Sequence, residues 1–257
     1  MTNIRLVSVN IERSKHLETV ATFLKEQKPD IVCLQECMER DVPLFEEAAA
    51  GKAFFTPLCI HADPREESGV YGQAIISRYS GVTSDAMYYA GEHDPLFVFN
   101  NELKEEVIAR QARAVSIVEI DKEETRFKIA TTHFTWTPKG ETTDRQRHDL
   151  RLLFGLLEAQ AEIVLAGDFN APRGGEIFDA LAKRYKDNIP PQYIWSLDEK
   201  LHRIPRSILA DHAREVGVSG LMVDGLFSTP EYEVSDVKLH AGVSDHCAIT
   251  ANIYKKG

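Results

Sequence analysis

The sequence predicts an α+β fold in which two β-sheets pack face to face and helices cover their outer surfaces. Short apolar runs typical of strands follow one another closely over residues 70–135, and three more such runs follow residue 220. Apolar residues at helical spacing occupy 17–24 and 144–159, between strand-like runs. Helices placed between groups of consecutive strands favour two packed sheets over a simple parallel doubly wound sheet.

One domain is expected over residues 1–257. Hydrophobic residues make up 43% of the chain, which is enough for a continuous core. Glycine and proline are scattered, no linker of distinct composition separates two parts, and no repeat of fixed period appears.

The first three elements are predicted as strand, helix and strand. IRLVSV forms the first strand, which ends at Asn10. A helix over residues 17–24 follows, with Ser14 as its candidate N-cap. IVCL at 31–34 is a short buried strand, so Glu36 lies where that strand ends.

The middle of the chain is predicted to contain strands without helices over residues 70–135. Two alternating runs flank the polar turn DKEET and form a hairpin, and His133 lies just past its second strand. Thr143 and Gln146 have capping-box spacing, which starts a helix over 144–159.

The last third of the chain begins with IVLAGDFN, another strand that ends in polar residues. Residues 176–184 are predicted to be helical. Residues 187–220 mix prolines and charges without a clear period, so we expect long loops that shape a substrate entrance. LMVDGLF, DVKLH and CAITANI are the final predicted strands.

The charge balance limits which partners the protein is expected to bind. With 30 basic and 40 acidic residues, the formal net charge of −10 disfavours a protein that grips long duplex DNA non-specifically. A weak contact, or binding at a strand end, remains compatible with this charge. MTNIRLVSVN lacks the features of a signal peptide and no run of about 18 apolar residues occurs, so we expect a soluble cytoplasmic protein without a membrane span.

Five segments share one pattern, in which a β-rich apolar run delivers a polar side chain at its end. One such residue alone is usually a solvated strand end. Five together indicate a site. They supply Asn10, Glu36, His133, Asp168 with Asn170, and Asp245 with His246.

These residue types suit hydrolysis of a phosphate ester. Mg²⁺ prefers a few hard oxygen ligands, which Glu36, Asp245 and the amide oxygen of Asn10 can provide, and Mn²⁺ can substitute for it. Asp168 can accept a proton from water, and Asn170 can orient that water or the phosphate. The two histidines then remain as donors to the phosphoryl oxygens.

Asp224 is a carboxylate inside the apolar run LMVDGLF. A buried aspartate is costly unless it is paired, and a histidine in such a site needs a partner that fixes its tautomer. We therefore expect Asp224 to pair with His246, with a structural cap or turn as the alternative.

In this order the segments resemble the motif set of the endonuclease/exonuclease/phosphatase superfamily, which includes deoxyribonuclease I-like and exonuclease III-like enzymes. The resemblance spans residues 5–250 and implies a four-layer α/β/β/α sandwich of two mixed sheets flanked by helices. It also implies metal binding by Asn10, Glu36 and Asp245, action of Asp168 and Asn170 on the nucleophilic water and phosphate, transition-state stabilisation by His133 and His246, and orientation of His246 by Asp224.

Four positions bear on the substrate. Arg78 and Arg113 resemble family arginines near the phosphate, although each could be a surface charge or a structural ion pair. Gly225 stands where members often carry a larger residue, so a substrate contact is expected to be missing there. Trp136 could stack on an unpaired base, but covering the core is the preferred interpretation.

Three functions stay open. The leading one is a magnesium-dependent nuclease or end-processing phosphodiesterase acting on nucleic acid. The second is a phosphatase or phosphodiesterase acting on a small or lipid-headgroup phosphate ester, and the third is an inactive scaffold of the same fold. The presence of every expected acid, amide and imidazole disfavours the third.

Overall fold

The computed structural model describes residues 2–62, 68–79, 83–99 and 109–256. The described strands are β1 (Asn3–Asn10), β2 (Ile31–Met38), β3 (Lys52–His61), β4 (Gly69–Ser77), β5 (Thr83–Ala90), β6 (Val98–Phe99), β7 (Arg113–Lys122), β8 (Thr125–His133), β9 (Val164–Asp168), β10 (Lys186–Asp187), β11 (Asp224–Ser228), β12 (Tyr232–His240) and β13 (Ala248–Lys255). The described α-helices are α1 (Leu17–Gln27), α2 (Val42–Ala49), α3 (Asp144–Glu158), α4 (Glu176–Ala182) and α5 (Arg206–Glu215).

The strands form two mixed sheets. Sheet I has seven strands in the order β12-β13-β1-β2-β4-β3-β6, and sheet II has six in the order β10-β11-β9-β8-β7-β5. Each sheet has a parallel pair at its centre, β1 with β2 in sheet I and β8 with β9 in sheet II, and mostly antiparallel strands outside it. Parallel neighbours end at the same edge, so each sheet presents two strand ends side by side.

The core consists of three apolar layers. The middle layer packs side chains of sheet I, such as Leu6 and Ile75, against side chains of sheet II, such as Ile129. A second layer lies between sheet I and helices α1 and α2, and a third lies between sheet II and helices α3 and α4. Full burial of each large aliphatic side chain contributes about 1.5–3 kcal/mol. The predicted sandwich of two mixed sheets flanked by helices is confirmed.

Two local predictions near the amino terminus are corrected. Helix α1 begins after His16, because Ser14 instead donates a hydrogen bond to Asp41 Oδ2 at 2.6 Å. Strand β2 continues past the apolar run to Met38, with a break in its pairing to β4 between residues 34 and 37. Glu36 therefore sits within an irregular part of the strand.

Other predicted elements hold with small changes. β7 and β8 form the predicted hairpin, and Thr143 Oγ1 caps α3 by accepting from the Gln146 backbone N–H at 3.3 Å. Residues 109 and 110 are helical, and the expectation of strands over 100–108 lies outside the described residues. All four cysteines are free, and no described helix is long and apolar enough to cross a membrane.

The expectation that residues 187–220 form only loops is wrong, because they contain α5. This helix buries only Leu209 and Ala213 along its ten residues, so its sequence lacks a strong apolar stripe. Its short apolar face packs on Leu197 and Leu221 beside the strand ends described next.

Candidate active site

The polar side chains predicted from the five segments meet at one edge of the sandwich, where the central strands of both sheets end. In sheet II, Asp168 is the register partner of both His133 and Asp224. This cluster, called the acid–histidine cluster below, consists of Asn10, Glu36, His133, Asp168, Asn170, Asp224, Asp245 and His246. Most of its members line a cleft of about 350 Å³.

Asn10 joins the two sheets at the floor of the cluster. Its amide nitrogen donates to Glu36 Oε1 at 3.2 Å and to Asp168 Oδ2 at 3.0 Å. Its amide oxygen accepts from the Glu12 backbone N–H at 3.1 Å. In this arrangement the nitrogen faces the two carboxylates, so the predicted role of the amide oxygen as a metal ligand requires the amide to turn.

Glu36 is held in an unusual backbone conformation. Its φ is 54°, and its carbonyl accepts from the Arg13 backbone N–H at 3.0 Å. Such a conformation in a non-glycine residue costs energy and is found at functional sites. Burial, reinforced by the nearby charge of Asp245, raises the pKa of Glu36. Two carboxylates that repel each other at a strand edge fit a hard divalent cation such as Mg²⁺.

Asp168 lies at the centre of the cluster and is 1% exposed. Its Oδ1 accepts from the Asn170 backbone N–H at 2.8 Å, and its Oδ2 accepts from Asn10. Burial raises the pKa of Asp168 to about 7. The side chain of Asn170 is fixed because its amide nitrogen donates to Phe134 O at 3.0 Å.

His246 is paired with Asp224, as the sequence led us to expect. Its Nδ1 lies 2.8 Å from Asp224 Oδ2, and its Nε2 lies 3.9 Å from Asp168 Oδ2. Burial alone would lower the pKa of His246, but the carboxylates of Asp224 and Asp168 outweigh burial and hold it well above the usual range. The raised pKa favours the protonated, positively charged form of this imidazole.

His133 has a different partner. Its Nδ1 lies 3.1 Å from the Tyr71 hydroxyl, and burial keeps the Tyr71 pKa well above its usual range. The hydroxyl thus keeps its proton, and either group could donate in this bond. We assign the imidazole proton to Nε2 and the hydroxyl as donor to Nδ1, because Nε2 faces two carboxylates. That nitrogen lies 3.6 Å from Asp168 Oδ2 and 3.8 Å from Glu36 Oε1.

Burial, together with the charges of Arg113 and His246, holds the pKa of His133 well below its usual range. The surroundings therefore shift the pKa values of the two histidines in opposite directions, although both are buried beside Asp168. Groups whose surroundings push their pKa values apart are typical of sites that move protons.

The two arginines that the sequence suggested as phosphate contacts lie in different parts of the structure. Arg113 is 2% exposed at the wall of the cleft, where its Nη1 donates to His133 O at 3.1 Å and its Nη2 to Gln111 Oε1 at 3.2 Å. Arg78 donates to Lys28 O at 3.3 Å and lines a separate shallow pocket with Glu46. The structure does not bring Arg78 to the cleft.

Gly225 does not face the cleft. A Cβ atom there would lie 2.6 Å from the Phe227 ring and 2.7 Å from the Phe169 ring, inside the core between sheet II and its helices. A larger residue could not reach a substrate from this position. The expectation of a missing substrate contact at Gly225 stays a prediction, although this position faces the core and not the cleft.

Sequence reasoning missed several groups at the site. Glu12, His16 and Asp245 place ligand atoms within 4.8 Å of one another. An acid two residues beyond Asn10 was a signal for Glu12, whereas nothing in the sequence marked Tyr71 as the partner of His133. Trp136, expected to cover the core, is 39% exposed and lines the cleft.

Comparison with known proteins gives one family match. The model of the endonuclease/exonuclease/phosphatase family matches residues 7–246. No curated protein matches the chain by sequence.

Three solved structures show the similarity in fold. An endonuclease/exonuclease/phosphatase from Bacteroides vulgatus is 17% identical with a TM-score of 0.68, and each chain is covered completely. The human Nocturnin catalytic domain, which holds a sulfate anion, is 18% identical with a TM-score of 0.67, over 99% of this chain and 94% of that one. A mannosyl-6-phosphatase from Bacteroides thetaiotaomicron is 14% identical with a TM-score of 0.64, over 98% of this chain and 99% of that one.

Proposed function

This chain belongs to the endonuclease/exonuclease/phosphatase family, and from that premise we propose that it is a metal-dependent phosphodiesterase that hydrolyses phosphodiester bonds in nucleic acid. The observation that carries the proposal is the surroundings of Asp168. A buried carboxylate lies within 4 Å of two histidine ring nitrogens, Nε2 of His133 and Nε2 of His246. Such a set supplies a base for water and two donors for phosphoryl oxygens.

The donor set of the cleft fits a divalent cation. Glu36 and Asp245 would hold it, with Asn10 and the neighbouring Glu12 as further oxygen donors. We propose Mg²⁺, with Mn²⁺ as a substitute, because hard carboxylate and amide oxygens prefer these ions. A cation bound there supplies positive charge against the negative charge of the phosphate ester.

Asp168 is proposed as the general base. A carboxyl with a pKa of about 7 is ionised in part at neutral pH and is a stronger base than an ordinary carboxylate, which suits removal of a proton from water. The hydrogen bonds from Asn10 and from the Asn170 backbone fix the carboxylate plane. The orientation of the attacking water is thereby set before substrate arrives.

The two histidines are proposed as donors to the phosphoryl oxygens. The imidazolium of His246, held by Asp224, offers charge as well as an N–H group. His133 offers a neutral N–H group from Nε2, because the Tyr71 hydroxyl occupies Nδ1. Hydrogen bonds from both donors stabilise the transition state most strongly, because negative charge then develops on the phosphoryl oxygens.

Local charge supports a nucleic-acid substrate despite the net charge of −10. Arg13, Arg113, Lys139 and Arg203 all line the cleft. They stand beside the acidic residues Glu12, Glu36, Asp168 and Asp245 in the same lining. The basic side chains supply local positive charge for a phosphate, while the acidic net charge keeps contact with long duplexes weak.

A phosphatase acting on a small phosphate ester is the second candidate. It is favoured by the fold similarity to the mannosyl-6-phosphatase, which covers 98% of this chain. The same acid–histidine cluster would serve that reaction, because both substrates place a phosphoryl group between the base and the donors.

A hydrolysis panel tests the proposal. The protein is incubated with each substrate in the presence of Mg²⁺, Mn²⁺ or chelator. The substrates are single-stranded and duplex DNA, RNA, a 5′-tyrosyl oligonucleotide, inositol phosphates, mannose 6-phosphate and a generic diester. Wild type is compared with Asp168→Ala and with Leu152→Ala, an exposed change on α3 outside the cleft. We expect oligonucleotide hydrolysis that needs both metal and Asp168.

Hydrolysis of small esters alone would move the assignment to the second candidate. If no substrate reacts with any divalent metal while Leu152→Ala and wild type fold equally well, the phosphodiesterase proposal is wrong and the chain is a scaffold.

A further inference from the structure

We propose that the part of the cleft beside His246 is a pocket for one nucleotide, so that the substrate is a phosphate ester at a strand end or in a free nucleotide, not within a continuous duplex. This inference rests on the proposed hydrolytic function and adds the substrate class. It is carried by an exposed aromatic ring, an apolar floor and a closed far side.

The aromatic ring belongs to Trp136, three residues beyond His133 at the end of β8. The side chain is 39% exposed and lines the cleft with the acid–histidine cluster. An indole that covers the core would be buried, whereas this one is partly open to the cleft. A nucleobase is a flat partner for an indole face, and base–aromatic stacking changes affinity about 5- to 150-fold.

The floor of this part of the cleft is apolar. Leu197 forms a β-bridge with His246, and Val223 directly precedes Asp224, so the floor begins at the catalytic histidine pair. The apolar side chains that line it are Leu197, Ile204, Leu209, Leu221 and Val223. A surface of this kind suits the face of a base.

The far side is closed by contact between α5 and the short turn at residues 138–140. Lys139 Nζ lies 2.6 Å from Glu215 Oε2, at the end of α5. Gly140 in the same turn packs toward Leu221. The cleft as a whole holds about 350 Å³, near the low end of the roughly 300–1,000 Å³ typical of small-ligand pockets, and Lys139 and Gly140 form part of its lining. That volume suits one nucleotide better than a continuing duplex.

The wall formed by residues 196–206 is fixed to the catalytic strand ends. The Asp198 backbone N–H donates to Asp245 O at 2.7 Å, and the Cys247 backbone N–H donates to Ser196 O at 2.7 Å. Arg206 Nη2 donates to Leu197 O at 2.7 Å. The pocket is thus built before a ligand binds, and a preformed pocket loses less affinity to ordering.

Polar groups on this wall complete the match to a nucleotide. His202, Arg203 and His212 line the same part of the cleft. They place hydrogen-bond donors beside an apolar floor, as a phosphate and ribose attached to a base require.

A binding measurement tests the pocket without turnover. The chain has two tryptophans, so Trp195→Phe leaves Trp136 as the single fluorophore, and Asp168→Ala prevents hydrolysis. The double variant is titrated with thymidine monophosphate, mannose 6-phosphate and inorganic phosphate. We expect saturable quenching by thymidine monophosphate at concentrations where the other two have no effect. Equal responses to all three, or none to the nucleotide, would overturn the proposal.

A kinetic measurement tests the substrate class. A dinucleotide is compared with an analogue in which an abasic residue replaces one nucleoside, for each of the two positions. Trp136→Ala should lower kcat/KM about 5- to 150-fold for the dinucleotide, mainly through KM, and leave one abasic analogue unchanged. Trp136→Phe should keep most activity, and Leu152→Ala all of it. Closed-circular duplex DNA should resist cleavage while linear single strands are cut.

Nicking of the closed circle as fast as end cleavage would show that the pocket does not restrict the enzyme to ends. Failure of the proposed function is distinguishable from failure of the pocket. If no ester is hydrolysed, or Asp168→Ala keeps full activity, the catalytic assignment is wrong, whereas the fluorescence titration still decides whether a nucleotide binds at Trp136.

Discussion

Replacement of Asp168 by asparagine should stabilise the metal-free protein while removing its activity. Asp168 is 1% exposed, and burial raises its pKa from the ordinary 3.8 to about 7. Keeping this side chain ionised in the folded chain therefore costs up to about 4 kcal/mol, at about 1.4 kcal/mol for each pH unit. Asparagine has the same shape and no charge, so Asp168→Asn escapes this cost.

The gain is reduced by one lost hydrogen bond. Asp168 accepts from the Asn10 amide and from the Asn170 backbone, and an asparagine can accept with only one of its two terminal atoms. A lost buried hydrogen bond costs about 1–3 kcal/mol. The net stabilisation at pH 8 is then about 2 kcal/mol, which corresponds to roughly 4–8 °C in Tm for a chain of this size.

The raised pKa of Asp168 also predicts how the stability difference between Asp168→Asn and wild type changes with pH. Between pH 4 and pH 7 the folded wild type binds a proton at Asp168 that the unfolded chain has released, so this group makes wild-type stability fall as pH rises. The advantage of Asp168→Asn should therefore be small at pH 4.5, grow up to pH 7 and stay constant above it. Thermal and urea unfolding in the presence of chelator measure it.

Asp224→Asn is the matched control, because Asp224 is 3% exposed and is the register partner of Asp168. It removes the carboxylate 2.8 Å from His246 Nδ1. We expect destabilisation by about 1–3 kcal/mol, since a buried charged partner is left behind. If both variants lower Tm at pH 8 by similar amounts, the ionised Asp168 is not a source of instability and its assignment as a high-pKa base fails.

Three further outcomes are expected. Tyr71→Phe removes the donor to His133 Nδ1 and should lower kcat about tenfold with KM nearly unchanged, as steady-state kinetics would show; a change in KM alone would contradict the assigned tautomer. Arg78→Ala should change kcat/KM by less than about twofold, because this side chain lies outside the cleft; a larger loss would place it at the substrate. Gly225→Ala should destabilise the fold by about 1–3 kcal/mol in urea unfolding, since a Cβ atom meets two phenylalanine rings.

The sandwich could be predicted because its strongest signals are local. The hairpin around DKEET and the helix capped by Thr143 follow from alternation and capping over short windows, and both are present. Helix α5 escaped prediction because only two of its side chains are buried. Its position depends on contacts with Leu197 and Leu221, which lie outside the helix and carry no helical pattern that marks them as its partners.

Ser14 illustrates the same limit at a helix start. The residue has the chemistry of an N-cap, but its hydroxyl finds a stronger acceptor in Asp41, and α1 begins after His16. Gly225 illustrates the limit at the site, because the residue after Asp224 faces the opposite side of β11 and meets the core. Alternation along a strand explains this placement.

The reacting groups of the site are more visible in the sequence than the groups that set their protonation. Strand ends expose Asp168 and His133, and a polar residue after an apolar run is easy to see. Tyr71 lies inside β4 of sheet I and reaches across to a histidine of sheet II, so its hydroxyl resembles any buried tyrosine in the sequence. Because Tyr71 contacts His133 and Asp224 contacts His246, replacing either partner should alter catalysis without changing the imidazole itself.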